Sequence, residues 1–222
     1  MKLPKRLLKL GTGALSDAMG KRGAMVHDIR CWSGNPAMAG PAFTLEIHAA
    51  DILMVAKAVS LAPEGSVLVI DGRAHCDTAL WGDLTSLAAK SKGLAGVVID
   101  GAVRDVRGMT KVGFPVYARA AVPSAGGAQY LGHLNTAVTC SGQTVRPGDW
   151  IVGDQDGVVV IPAEGLEDVV TAATAIVAAE RQIERRIRAG EDICSILGIE
   201  GVIEAKKAQV FIPQLAATQK EG

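Results

Sequence analysis

Two stretches decide the fold: Val67-Leu68-Val69-Ile70-Asp71-Gly72 and Val97-Val98-Ile99-Asp100-Gly101. Each is a continuous apolar run that stops at Asp-Gly. Strands buried on both faces, as in parallel sheets, read this way, whereas half-buried strands alternate. Between the runs, Leu80, Leu84, Leu87 and Ala88 fall at helical spacing within residues 78–91. The unit is therefore strand–helix–strand, with a right-handed crossover. Both Asp-Gly pairs are expected as turns at the carboxyl ends of their strands, the edge at which open parallel sheets bind ligands.

Outward from this unit, residues 3–20 carry Leu3, Leu7, Leu10, Ala14 and Ala18 near helical spacing, and Gly20 and Gly23 end the pattern. Residues 42–48 alternate like a half-buried strand. A helix over 51–61 follows, with Asp51 as its N-cap. Strands are predicted over 114–120 and 136–140. The turn Val145-Arg146-Pro147-Gly148-Asp149 leads into a strand at 150–154, and a last strand covers 158–161. The longest helix spans 164–189, and its apolar stripe (Leu166, Val169, Val170, Ala173, Ile176, Val177, Ile183, Ile187) includes one carboxylate, Glu180. No linker or shift of composition appears. The expectation is one domain over 1–222, of which 164–222 is a helical C-terminal extension.

The 222 residues hold 23 basic and 23 acidic side chains, so the formal charge is zero. A domain that coats phosphate backbones carries a basic excess, and so does a polybasic membrane anchor; neither is expected. Aromatics are 4%, too few for base-stacking platforms. The apolar stretch between Asp168 and Glu180 is shorter than the ~20 residues of a membrane span. Lys9, Gly11 and Asp17 interrupt the only segment that resembles a signal peptide. Cys31, Cys76, Cys140 and Cys194 form no CxxC pair, which argues for scattered thiols in a cytoplasmic protein.

The densest polar cluster is Gly82-Asp83-Leu84-Thr85 with Arg104-Asp105. The first set opens the crossover helix, where unpaired N–H groups and the dipole favour an anion. Arg104 offers a fork for a carboxylate. Asp83 and Asp105 offer oxygens suited to a hard cation such as Mg²⁺. On chemistry alone, helix caps and a surface arginine account for the same residues, because Asp is common at both caps and turns.

Asp83, twenty residues, then Arg104-Asp105, within GDLTSLAAKSKGLAGVVIDGAVRDV, resembles the signature of the RraA-like / 4-hydroxy-4-methyl-2-oxoglutarate aldolase family. Pro63-Glu64-Gly65, Gly113-Phe114-Pro115-Val116, residues 145–149 and residues 154–162 extend the likeness over roughly 10–190. The resemblance implies a three-layer β/β/α sandwich of the swivelling-domain type, assembled as a homotrimer or hexamer. It implies a class II pyruvate aldolase that uses Mg²⁺ or Mn²⁺, cleaves a 4-hydroxy-2-oxo acid to pyruvate and decarboxylates oxaloacetate. By position, Asp105 would hold the metal and Arg104 the pyruvyl oxygens. Asp83 would orient the water that carries the proton. Gly82, Leu84 and Thr85 would form the substrate's carboxylate seat. Glu180 is the candidate for a carboxylate that such proteins bring to the metal's water shell from a neighbouring subunit. Aldolases of the family often carry an acidic residue three places after the Arg-Asp aspartate, where this chain has Gly108.

A Schiff-base aldolase would need a lysine in a buried strand; none interrupts 67–70, 97–99 or 158–161, and Lys57 sits within a helix. His48 with Asp51, and His75 with Asp77, each lack a third metal ligand in sequence. His75 and Arg73 follow the first Asp-Gly pair, so they are expected at the same edge as Arg104. The alternatives to the aldolase are a non-catalytic regulator that binds a ribonuclease or other protein such as a helicase, and a lyase or dehydratase for a sugar-derived acid.

Overall fold

Alternate residues of the two apolar runs enter two different cores. Leu68, Ile70, Val97 and Ile99 pack with Val55, Val59, Ala89 and Met109, whereas Val67, Val69 and Val98 pack with Val145, Ile151, Val158 and Val160. Full burial of each such side chain contributes about 1.5–3 kcal/mol. The fold is known from a computed structural model, which describes residues 1–209. The part of the C-terminal extension beyond 209 lies outside the described residues.

The chain divides into two compact units, residues 1–176 and the remainder from 177. The first contains, in order, α1 (Leu3–Ala18), β1 (Arg30–Cys31), β2 (Met38–Glu46), α2 (Leu53–Leu61), β3 (Val67–Trp81), α3 (Asp83–Ser91), β4 (Gly96–Val103), α4 (Val106–Val112), β5 (Val116–Ala121), β6 (His133–Leu134), β7 (Val138–Cys140), β8 (Gln143–Val145), β9 (Trp150–Asp154) and β10 (Gly157–Ile161). Helix α5 (Leu166–Arg188) starts in the first unit and runs into the second, which also holds α6 (Ile193–Leu197) and α7 (Ile199–Gln209). Among the described residues no helix is long and apolar enough to cross a membrane.

Strands β2, β3, β4 and β5 lie side by side and parallel. Strand β2 serves three pairings: Ala42–Glu46 run parallel to β3, Met38–Pro41 run antiparallel to β9, which pairs with β10, and Leu45–Glu46 pair antiparallel with β6. The β9–β10 pair and the β7–β8 hairpin supply the second β layer over Val67, Val69 and Val98. Helices α2, α3 and α4 supply residues that cover the opposite face. The result is the β/β/α sandwich, mixed α/β in class.

Several expectations need correction, among them the start of α2, which begins at Leu53 with Ile52 at the cap while Asp51 accepts from Leu53 N at 2.9 Å. The Asp-Gly pairs are not turns: both lie inside strands, and neither Gly72 nor Gly101 has a positive φ. Their glycines make room instead, because a Cβ on either would strike Leu80 Cδ1. Their aspartates are buried; Asp100 accepts from Ser141 N at 2.7 Å and from the Arg119 guanidinium, which also bonds Asp28. The predicted helix start at 78 is also displaced, because residues 78–81 complete β3. Finally, α1 is broken at Gly11 (φ 81°), where the Asp154 carboxylate accepts from Thr12 N and Thr12 Oγ1, both at 2.7 Å, and caps the second half.

Candidate active site

The carboxyl ends of the central strands lie further along the chain than the Asp-Gly pairs. Strand β3 ends at Trp81 and β4 at Val103, so Gly82-Asp83 and Arg104-Asp105 are the residues that leave the sheet edge. Arg104 N donates to Trp81 O at 2.9 Å and locks the two exits together. Helix α3 starts at Asp83, and the first-turn N–H groups of Asp83, Leu84 and Thr85 precede any intrahelical acceptor. The Thr85 hydroxyl bonds back to Gly82, accepting from its N–H and donating to its C=O, each at 2.9 Å. The buried Trp81 indole N–H donates to Ser86 Oγ at 2.7 Å, and that hydroxyl donates to Gly82 O at 2.9 Å. This relay clamps the start of the helix to the end of the strand. Trp81 in turn stacks on Phe114, with ring centroids 6.4 Å apart.

Asp105 caps α4 in the left-handed conformation, φ 58° and ψ 38°. Non-glycine residues take that conformation at a cost of roughly 1–3 kcal/mol, which structures tolerate chiefly at functional positions. Its Oδ2 lies 3.3 Å from Arg104 Nε, and both side chains are nearly half exposed. That exposure leaves each able to bind something else.

Gly82, Asp83, Leu84, Thr85, Arg104 and Asp105 line one cleft of about 160 Å³. Ile52, Val55, Ala56, Ala79 and Ala125 give it an apolar wall. Leu84 is 78% exposed at the rim. The site thus sets an anion seat, a guanidinium and two carboxylates against an apolar surface. A cation could be held by Asp105, with Asp83 beside it. Among the described residues, no three His, Cys, Asp or Glu side chains are grouped to hold a metal. The two carboxylates present, Asp83 and Asp105, are a donor set of the kind Mg²⁺ uses when it keeps most of its water.

Other candidates lie elsewhere. Arg73 and His75 do not line this cleft, which corrects the expectation that they share the edge with Arg104. The physical reason is a bulge. Ile70 pairs with Ile99 and the next pair is His75 with Gly101, so β3 throws out the intervening residues, with Arg73 and Ala74 at positive φ. Arg73 pairs with Glu46, and the His48 ring meets Tyr130 in a tilted contact, with centroids 5.0 Å apart. Asp51 accepts from Leu53 N, Gln129 N and Tyr130 N, tying α2 to the 125–131 loop. Asp77 is exposed, and so is Lys57 on α2. Glu180 is exposed on α5 within the second unit. Sequence reading missed Trp81 and Ser86. The available signal was a lone tryptophan directly before a Gly-Asp helix start, with a serine one turn in.

Known proteins share this arrangement's framework. The RraA-like family model, described as Aldolase/RraA, matches residues 12–160. An uncharacterised protein of Methanocaldococcus jannaschii is 43% identical over 162 residues, 72% of this chain and 78% of its own. A protein of Halalkalibacterium halodurans, whose name offers it as a candidate 4-hydroxy-4-methyl-2-oxoglutarate aldolase, is 38% identical over 176 residues, 79% of this chain and 84% of its own. Among solved structures, the RNA-processing inhibitor RraA from Thermus thermophilus superposes with a TM-score of 0.64 at 32% identity, covering 68% of this chain and 92% of that one. A Pseudomonas syringae protein gives 0.74 at 27%, covering 85% and 92%. With the β/β/α fold, the Gly-Asp helix start and the Arg-Asp exit in place, the chain belongs to the RraA-like family.

Proposed function

We infer that the protein is a divalent-metal-dependent lyase that cleaves a 4-hydroxy-2-oxo acid to pyruvate and decarboxylates oxaloacetate. The observation that carries this reading is the convergence of Asp83, Arg104, Asp105 and the open first turn of α3 on one cleft. The name of the Halalkalibacterium relative supports the aldolase class. A bound Mg²⁺ or Mn²⁺ supplies Lewis acidity to the 2-oxo group.

The chain's own residues do the rest. Asp105, whose carboxylate is nearly half exposed, would hold the cation, with water completing the shell. The N–H groups of Leu84 and Thr85, at the positive end of α3, hold the substrate carboxylate. Arg104 directs its guanidinium at the pyruvyl oxygens, where negative charge develops as the carbon–carbon bond breaks. Asp83 holds the water that takes the proton from the 4-hydroxyl group and returns one to the pyruvyl carbon. The apolar wall of Ile52, Val55 and Ala56 receives the substrate's carbon skeleton. The proposed assembly is a homotrimer or hexamer in which Glu180 of a neighbouring copy reaches the metal's water. Among the described residues no lysine lines the cleft.

The test is oxaloacetate turnover by Asp105→Ala and Arg104→Ala, together with chelation by EDTA. Each variant is expected to lose at least 100-fold in kcat/KM, and EDTA to abolish activity until Mg²⁺ is restored. Parent-level turnover by both variants would place the site elsewhere, and activity untouched by EDTA would remove the metal from the reaction. A second reading, a non-catalytic regulator that binds a ribonuclease, is favoured by the structural likeness to an RNA-processing inhibitor. Its signature is a stable protein partner and no turnover of any 2-oxo acid.

A further inference from the structure

Gly82 and Gly108 each stand where an aspartate of the other helix start needs room. A Cβ on Gly82 would lie 2.7 Å from Asp105 Oδ2. A Cβ on Gly108 would lie 2.5 Å from Asp83 Oδ2, 2.7 Å from its Cβ and 2.9 Å from its Cγ. The arrangement is reciprocal. Gly82 immediately precedes Asp83 and clears Asp105; Gly108 lies three residues after Asp105 and clears Asp83.

Neither position needs glycine for its backbone. Gly82 is extended, φ −155° and ψ −163°, and Gly108 lies inside α4 without a positive φ. Glycine inside a helix is destabilising relative to alanine. What both positions gain from glycine is space for a carboxyl group. At position 108, where the aldolase resemblance leads one to expect an acidic side chain, a side chain in this chain would compete with Asp83 for the same volume. The Asp83 carboxyl group fills that volume.

We propose that Gly82 and Gly108 form a reciprocal notch that sets the placement of Asp105 and Asp83, and so act as positioning residues for the metal-water site. The proposal rests on the lyase reading above for its catalytic consequence, though not for its steric one. At Gly108 the clash reaches Asp83 Cβ, which cannot rotate away, so the first turn of α3 or α4 has to move. At Gly82 the clash meets only the far end of Asp105, so Gly82→Ala keeps the fold and turns that carboxylate.

The experiment compares the parent, Gly108→Ala, Gly82→Ala, Asp83→Gly and the double variant Asp83→Gly/Gly108→Ala. Thermal melting, Mg²⁺ titration by calorimetry and oxaloacetate turnover are read on each. Gly108→Ala is expected to lower Tm by a few degrees in the parent and to raise it in the Asp83→Gly background, where ordinary helix propensity prevails. It is expected to reduce kcat at least 10-fold while leaving the Mg²⁺ Kd within about twofold. Gly82→Ala is expected to weaken Mg²⁺ binding about 10-fold. The double variant should lose no more kcat than Asp83→Gly alone. A Gly108→Ala protein that melts above the parent and turns over at the parent rate overturns the notch. If the parent neither binds Mg²⁺ nor releases pyruvate, the lyase reading fails, and the dependence of the Gly108→Ala melting shift on Asp83 still decides the notch.

Discussion

Asp83, Arg104 and Asp105 were legible in the sequence because chemistry-bearing residues crowd the ends of two buried runs. What could not be read was how they are held. Trp81 and Ser86 hold them through two bonds that no spacing rule announces: an indole N–H at 2.7 Å and a hydroxyl at 2.9 Å. Ser86→Ala is expected to leave the buried indole N–H unpaired, at about 1–3 kcal/mol. Urea unfolding measures this, and an unchanged midpoint would mean that the relay carries no weight. Arg104→Lys keeps the charge and loses the fork. We expect kcat/KM for oxaloacetate to fall at least 10-fold while stability stays within about 0.5 kcal/mol of the parent, as for an exposed position. The Asp-Gly pairs show the opposite failure of reading. Asp-Gly is a common turn dipeptide, yet Gly72 and Gly101 serve here to let Leu80 pass.

At the scale of elements, strands β3 and β4 and helices α2, α3 and α5 announce themselves by uninterrupted or periodic apolar residues. Helix α4 did not, because its seven residues include Arg107, Gly108 and Lys111 and are too short for a period to show. The bulge in β3 was invisible for a different reason: register is settled by the partner strand, and β3 has fifteen residues against eight in β4. Asp51 joins two elements. Burial alone would push its carboxyl up, but the N–H groups of Gln129, Leu53 and Tyr130 outweigh this and hold it below the ordinary carboxylate value. With the folded value depressed, Asp51 contributes its full stabilisation above its unfolded pKa, about 4, and loses it as pH falls through the lower folded value. Asp51→Ala is expected to cost about 1–3 kcal/mol at neutral pH and to flatten the acid limb of the stability curve. It should also speed amide exchange at Gln129 and Tyr130. Unaltered exchange there would show that the 125–131 loop is held by other bonds.

At the scale of the whole molecule, two-sided burial announced the parallel central strands, whereas the β/β/α layering was legible only through the RraA-like resemblance. The second unit was less legible. Beyond α5, its helices α6 and α7 leave Ile193, Leu197, Val202 and Ile203 exposed. Glu180 belongs to this unit, and its proposed role is an intermolecular one. Glu180→Ala is expected to lower kcat at least 10-fold while sedimentation velocity shows the same assembly as the parent. Co-refolding Glu180→Ala with Asp105→Ala should restore activity, because mixed assemblies then contain intact composite sites. No recovery on mixing would confine the site to one chain.

The central claim is that this edge of the sheet performs metal-assisted carbon–carbon cleavage next to a 2-oxo group. Its most direct test is pyruvate release from oxaloacetate and from 4-hydroxy-4-methyl-2-oxoglutarate, followed in a coupled assay with and without Mg²⁺. The account predicts Mg²⁺-dependent pyruvate from both. No pyruvate from either, with the metal present, would contradict it.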